Sequence, residues 1–327
     1  MNNLNPKLFD EDVEKVPTRK GYGEGLVIAG DEDEQVVVLC ADLTESTQSI
    51  FFKDKFPKRF VEVGVAEQNL ATLAAGMANY GKIPFISSYA AFSPGRNWEQ
   101  IRTTIALNDL PVKIAGAHAG ISVGPDGATH QQLEDLAIMR AMPNMTVIAP
   151  CDVHQSRQAT VAAAKTLHPV YLRFAREKTP VITTADTPFA IGKAQVFWSS
   201  KTPQVAIIAC GPLVYEALVA AQELEKSQIQ SLVINCHTLK PLDEGEVIKA
   251  AKQTGCVVTV EEHQITGGLG SAVAEVLARN YPTPVEFIGM PNSFGESGQP
   301  DELLNKYGMK AEHIIAAAKK AIMRKNA

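Results

Sequence analysis

Apolar positions along this chain fall into short β-like runs separated by stretches with a helical period. After an acidic lead, residues 18–30 read as a helix with Thr18 a possible cap, and the strand VVVLCAD follows at 36–42. Strand-like runs at 60–63, 83–87, 112–117, 146–149 and 170–174 then alternate with helical patterns around 67–80, 98–107, 130–139 and 153–167. Such alternation predicts an α/β fold with a mostly parallel, doubly wound sheet flanked by helices. Between 177 and 194 the pattern weakens and Pro180, Thr183, Thr184, Asp186 and Pro188 collect, so the expected domains are residues 1–186 and 187–327. A second set follows, with strands near 205–209, 232–235, 257–261 and 285–288 and helices near 214–224, 244–252, 270–279 and 311–323. That set predicts a smaller α/β domain, and the chain carries no heptads, short repeats or low-complexity segments.

One polar residue interrupts this pattern at an unexpected place. Counting from Glu67 by the helical neighbour offsets i−4, i+3, i+4 and i+7 reaches Val63, Leu70, Ala71 and Ala74, so the carboxylate shares a face with apolar side chains. Burying a carboxylate without partners is costly, so it either binds a proton or finds a dedicated ligand group. The same position also suits the first turn of a helix, where an acid favours the dipole at a solvated end. The pattern leaves both readings open.

Composition narrows the class. The 327 residues are 45% apolar and 20% charged, the balance of a soluble globular protein with room for two domains. A net charge of −5 with acids and bases interspersed gives no nucleic-acid footprint, and no apolar run of about 18 residues is present to span a membrane. The polar, acidic start MNNLNPKLFDEDVEK is unlike a signal or transit peptide, which makes cytoplasm the expected location. Five widely spaced cysteines, Cys40, Cys151, Cys210, Cys236 and Cys256, mostly lie in or beside apolar runs and read as small buried residues of a reducing compartment.

In open α/β sheets ligands bind beyond the carboxyl ends of the strands, which directs attention to three segments. Ala41-Asp42-Leu43-Thr44-Glu45-Ser46 follows the first long strand, HAGISVGPDGATH spans His118 to His130, and Arg173-Phe174-Ala175-Arg176 ends a later strand. The middle segment is the richest: Gly120, Gly124 and Gly127 allow tight turns while His118, Asp126 and His130 supply groups that handle protons or bind hydroxyls. Asp126 and Thr129 are also competent caps for a following helix. His118 and His130 lack the short helical spacing of common zinc motifs, and no metal site is expected on this chain. Arg173 and Arg176, with Arg19, Lys20 and Ser46, could form a cationic pocket for an anionic substrate, since the arginine fork matches phosphate.

Five motifs occur in a fixed order: ADLTES, VGVAEQN, YAAFSPGRNW, HAGISVGPDGATHQ and LRFAREKTP. In this order the chain resembles the C-terminal half of transketolase, covering its pyrimidine-binding domain and its C-terminal domain. The resemblance implies a thiamin-diphosphate-binding sheet domain followed by the smaller transketolase C-terminal domain. It implies that Glu67 bonds N1′ of the aminopyrimidine of thiamin diphosphate, favouring the imino form whose 4′ nitrogen removes the C2 proton of the thiazolium. A two-carbon ketol unit then passes from a ketose, or its phosphate, to an aldose, in the manner of the pentose phosphate pathway. By the same resemblance Asp42 and Leu43 lie close to the cofactor, and Tyr89, Phe92 and Trp98 form the aromatic neighbourhood of the pyrimidine. His118, Asp126 and His130 meet the sugar, the histidines with a catalytic role, and Arg19, Ser46 and Arg176 hold its phosphate.

The departures matter equally. Transketolase carries an upstream domain with a Gly-Asp-Gly motif and an asparagine that hold the metal and the diphosphate, and this sequence shows neither. The resemblance therefore implies one subunit of a split transketolase, whose N-terminal partner chain holds Mg²⁺ or Ca²⁺ and the diphosphate in an α2β2 heterotetramer. The second domain carries LKPLD at 239–243 and VEEHQITGGLGSAVAEVL from Val260; Gly267, Gly268 and Gly270 there read as helix-start packing in preference to a phosphate loop. The rival families are a 1-deoxyxylulose-phosphate synthase half and the beta subunit of a 2-oxo acid dehydrogenase, which lacks GPDGATH. A non-catalytic regulatory subunit with the same fold is the alternative from another class, opposed by Glu67, His118, Asp126 and His130 together.

Overall fold

A computed structural model describes residues 4–325. The first half supplies β1 (Lys15–Pro17), β2 (Val36–Cys40), β3 (Phe60–Glu62), β4 (Ile83–Tyr89), β5 (Lys113–Ala117), β6 (Thr146–Ile148), β7 (Val170–Arg173) and β8 (Lys178–Pro180). The second supplies β9 (Gln195–Ser199), β10 (Val205–Ala209), β11 (Ser231–Asn235), β12 (Thr238–Lys240), β13 (Val257–Gln264) and β14 (Val285–Met290). A seven-stranded sheet runs in the order β12-β6-β7-β5-β4-β2-β3 and a five-stranded sheet in the order β14-β13-β10-β11-β9. All pairings among β2 to β7 are parallel, whereas β12 joins β6 antiparallel. The smaller sheet is parallel except for the antiparallel edge strand β9.

The apolar runs became strands because helices cover both faces of the large sheet, so β2 and β5 are buried at every residue. Tyr22, Leu26 and Ala29 of the helix Thr18–Glu32 pack with Ala159 and Ala163 of Val153–Ala164 on one face. On the other, Leu70, Ala71 and Ala74 of the helix Glu67–Asn79 join Leu136 and Met139. That second cluster continues through Ala206, Ile208, Leu232 and Val247, so one core runs through both halves of the chain. The expected division at 186/187 falls in the stretch between β8 and β9, and β12 crosses it to complete the first sheet.

Several expectations are corrected. The helix expected over 130–139 is only Asp135–Arg140, because the backbone before it is used in the bridge between Ala119 and Gln132. Asp126 and Thr129 therefore cap no helix. Thr18 is the first helical residue and not the cap; its hydroxyl accepts from the amide of Ala175 at 2.8 Å and ties the helix to the end of β7. The segment 98–107 begins as an α-turn at Trp98–Gln100 and widens into a π-helix at Ile101–Ala106. β1 and β8, which form an antiparallel ribbon, and β12 carry three residues each, too few to show a period, and the edge strand β9 (QVFWS) was also not expected.

Because β2, β3, β4, β5 and β7 are parallel, residues 41–46, 63–67, 90–96, 118–130 and 174–176 all emerge at one edge of the sheet.

Candidate active site

The chain leaves β3, turns at Gly64 (φ 72°) and enters the helix Glu67–Asn79 at Glu67 itself. The carboxylate thus lies in the first helical turn and is also buried, with 4% of the residue exposed. The first-turn position of one sequence reading is met, but the acid there is not solvated, and the buried acid of the other reading is what the structure shows. The positive end of the helix dipole and the guanidinium of Arg96, whose Nη1 donates to Glu67 Oε1 at 3.0 Å, offset part of the desolvation. Asn97 Nδ2 donates to the Glu67 carbonyl at 3.0 Å and to Ser93 Oγ at 3.1 Å, fixing the β4 connection against the helix start. In front of the carboxylate a cavity of ≈ 400 Å³ is lined by Val65, Ala66, Glu67, Gln68, Asn69 and Arg96.

Aromatic rings continue the site from Arg96. Its guanidinium lies 4.0 Å from the ring centre of Phe92, Phe92 stacks on Tyr89 at 5.8 Å, and Tyr89 stacks on His118 at 3.8 Å. His130 meets Phe92 edge-on at 5.3 Å. Trp98 departs from this expected group: its indole Nε1 donates at 3.5 Å to the carbonyl of Ile138, and among the described residues it makes no ring contact with Tyr89 or Phe92. Asp42 (φ 58°) and His118 (φ 55°) hold left-handed backbone conformations that non-glycine residues seldom adopt, and both lie at strand ends on this edge. Glu62 fixes the first of them, accepting from the amides of Asp42 at 2.7 Å and Gly64 at 3.1 Å and from Thr44 Oγ1 at 2.9 Å. Leu43 follows, half-buried.

The cationic side is smaller than the sequence suggested. Arg19 Nη1 donates at 2.6 Å to Ser46, whose carbonyl and not its hydroxyl is the partner, and Arg176 Nη1 donates to Val123 O at 2.9 Å and Glu177 Oε1 at 3.0 Å. Arg173 does not belong here: it is buried, with Nε donating to Asp135 Oδ2 at 2.8 Å and Nη2 to the Glu262 carbonyl at 2.8 Å. Lys20 also falls away, since it pairs along its own helix with Glu24 at 3.8 Å. Burial first, then the charges of Arg19, Arg176 and His130, lower the pKa of His118 to about 3. His118 is accordingly a neutral imidazole, and its buried Nδ1 has no hydrogen-bond partner among the described residues. His130 is held by Thr129 Oγ1 at 2.9 Å from Nδ1, and Asp126 is exposed at the loop tip with no hydrogen bond among the described residues.

One edge of the sheet thus gathers Glu67, Tyr89, Phe92, His118 and His130 with Arg19 and Arg176 at its margin. A buried carboxylate opening on a cavity beside stacked rings fits a flat heteroaromatic ring with a nitrogen to bond. A neutral buried imidazole between arginines fits hydroxyls and an anion. Residue type had not singled out Arg96 or Glu62; Arg96 stands inside YAAFSPGRNW and Glu62 immediately before VGVAEQN, and a charge opposite a buried acid is the signal that points to Arg96. The glycine-rich helix start of the second half is already filled, because the Glu261 carboxylate accepts from the amides of Leu269 at 2.7 Å and Gly270 at 2.8 Å.

Residues 14–181 match the family described as transketolase, pyrimidine binding domain, and residues 192–314 match transketolase, C-terminal domain. A relative from Methanocaldococcus jannaschii, named putative transketolase C-terminal section, is 47% identical over 299 residues, covering 90% of this chain and 93% of the relative. Transketolase-like protein 2 of mouse is 40% identical over 311 residues, covering 94% of this chain; the chain spans 49% of that longer protein. A solved structure described as split gene transketolase, inactive beta4 tetramer, superposes with a TM-score of 0.89 at 45% identity, covering 95% of this chain and 99% of the other.

Proposed function

The chain belongs to the transketolase family, and from that premise we propose that it is the pyrimidine-binding subunit of a two-chain transketolase that moves a ketol unit from a ketose phosphate to an aldose phosphate. The observation that carries the reading is Glu67: a carboxylate buried at a helix start, open to a cavity and flanked through Arg96 by Phe92 and Tyr89. The family implies thiamin diphosphate, which when bound supplies a nucleophilic carbon on its thiazolium ring.

Within this chain, Glu67 shares a proton with the pyrimidine nitrogen, Tyr89 and Phe92 shape the apolar wall, and Asp42 and Leu43 bound the pocket at the β2 end. His118 and His130, packed against those rings, bind and orient sugar hydroxyls, and His130 has room to hold or pass a proton because it is half-exposed. Asp126 takes a further hydroxyl. Arg19, anchored on the Ser46 segment, and Arg176 hold the phosphate at the far end. The low pKa of His118 keeps it uncharged, which leaves the anion to the two arginines.

A separate N-terminal chain supplies Mg²⁺ or Ca²⁺ and the diphosphate site, in an α2β2 assembly working in the cytoplasm on pentose phosphate sugars. Support comes from the relative named a C-terminal section and from the solved relative described as an inactive β4 tetramer. The test is reconstitution. The purified chain with thiamin diphosphate and Mg²⁺ shows no ketol transfer, and activity appears on adding the diphosphate-binding chain; transfer by the pure chain alone overturns the two-chain reading. In the reconstituted complex Glu67→Gln slows hydrogen–deuterium exchange at C2 of the cofactor, and unchanged exchange removes Glu67 from the mechanism.

A further inference from the structure

The loop from His118 to His130 carries three of the groups assigned to the sugar, yet what determines its shape lies in the other half of the chain. Glu262, on β13, is 2% exposed, and its Oε1 accepts from the amide of Ser122 at 2.7 Å. The loop is laid directly on this carboxylate: a Cβ at Gly120 (φ 94°) would lie 2.3 Å from Oε1, so only glycine permits the approach. The main chain of Glu262 is fixed as well, because its carbonyl accepts from Arg173 Nη2 at 2.8 Å. Arg173 also reaches the Gln132 carbonyl at 3.3 Å and Asp135 at 2.8 Å, and the Gly120 amide donates to that same Gln132 carbonyl at 2.9 Å. Both roots of the loop therefore converge on one buried ion network whose outermost member comes from the second domain.

Packing alone does not explain a carboxylate here. Ser122 and Glu262 together border a cavity of ≈ 330 Å³ between the halves, and bulk closes on the loop only further along, where a Cβ at Gly124 would lie 3.0 Å from Pro300 Cγ. Burial raises the Glu262 pKa and Arg173 and Ser122 offset only part of that, so the carboxyl is kept here at a desolvation cost, with the Ser122 amide as its partner. A leucine of similar volume would be the ordinary occupant of such a strand position.

We propose that Glu262 is a positioning residue for sugar binding, setting through the Ser122 amide and the Gly120 turn where His118, Asp126 and His130 stand. It touches neither cofactor nor sugar. The C-terminal domain, which supplies none of the proposed ligand-contacting residues, would in this way govern how tightly the donor ketose is held. The inference rests on the reading of the 118–130 loop as the sugar-binding element.

Two substitutions and two measurements test it. In the reconstituted complex, Glu262→Leu raises KM for the donor ketose phosphate at least about tenfold, the scale of one lost hydrogen bond to a charged acceptor, and leaves C2 exchange of the bound cofactor unchanged. Glu262→Gln, which keeps an acceptor oxygen, stays within about threefold of the parent. The second measurement needs neither cofactor nor partner. In the full chain alone, amide hydrogen exchange of residues 119–131 speeds up in Glu262→Leu while the amides of β10 and β13 keep their protection. Unchanged loop exchange, or equal loss of protection in β10 and β13, overturns the proposal. Faster loop exchange with an unchanged KM also overturns it; if the parent complex itself shows no ketol transfer, the reading of function fails instead.

Discussion

His118 offers a direct check on the electrostatics of the site. Its pKa falls from 6.5 to about 3 because the ring is buried against Tyr89 and faces Arg19, Arg176 and His130. In the unfolded chain the same imidazole titrates normally. Between pH 3 and 6.5 the unfolded state therefore binds a proton that the folded state refuses, and stability falls as the pH falls through that window. At about 1.36 kcal/mol per pH unit once protonation of the unfolded state is complete, going from pH 7.5 to pH 5 costs about 2 kcal/mol from this residue alone. Chemical denaturation of the parent and of His118→Gln at those two pH values isolates the term, since every other titrating group is common to both. The expected difference in pH dependence is about 2 kcal/mol, with the parent losing more. Imidazole resonances followed by NMR should show His118 neutral down to about pH 4. Equal losses in parent and variant, or a His118 midpoint near 6.5, would refute the picture of a neutral histidine held between arginines.

Other perturbations separate structural from ligand-binding charges. Arg173→Met strands the Asp135 carboxylate, which is fully buried, and should cost about 3–5 kcal/mol in denaturant unfolding; a loss under about 1 kcal/mol would mean the pair is replaceable by packing. Arg19→Met and Arg176→Met should each raise KM for phosphorylated sugars about tenfold or more while leaving an unphosphorylated ketose unaffected, and equal effects on both sugars would contradict a phosphate role. Each of these substitutions also removes a charge that depresses His118, so its titration midpoint should rise in both variants.

Much of the architecture was legible because parallel strands buried on both faces must read as continuous apolar runs, as VVVLC at β2 does. Glu67 was legible as an anomaly, and the offsets that placed it with Leu70, Ala71 and Ala74 named side chains that are buried here. Its partner was not legible. Arg96 lies 29 residues away, and periodicity reports only neighbours within a few turns. The same limit blurred the arginines: Arg173 and Arg176 look alike in LRFAR, yet the first is the last residue of β7 and points at Asp135 while the second lies beyond the strand. The 130–139 helix was overextended because an apolar period cannot reveal that Gln131 spends its amide on the carbonyls of Ile121, Gly124 and Glu296, holding the backbone in a loop.

β12 bears on where this chain can be divided. Its three residues, from the second half, pair with β6 at the border of the large sheet. Cut between the two halves, the first piece would end on a bare β6, with a row of unpaired amides and carbonyls open to any other strand. A break near residue 186 would therefore leave an aggregation-prone fragment. The two halves matched by separate family descriptions share one core and one sheet, so expression, truncation or domain exchange that parts them would open both.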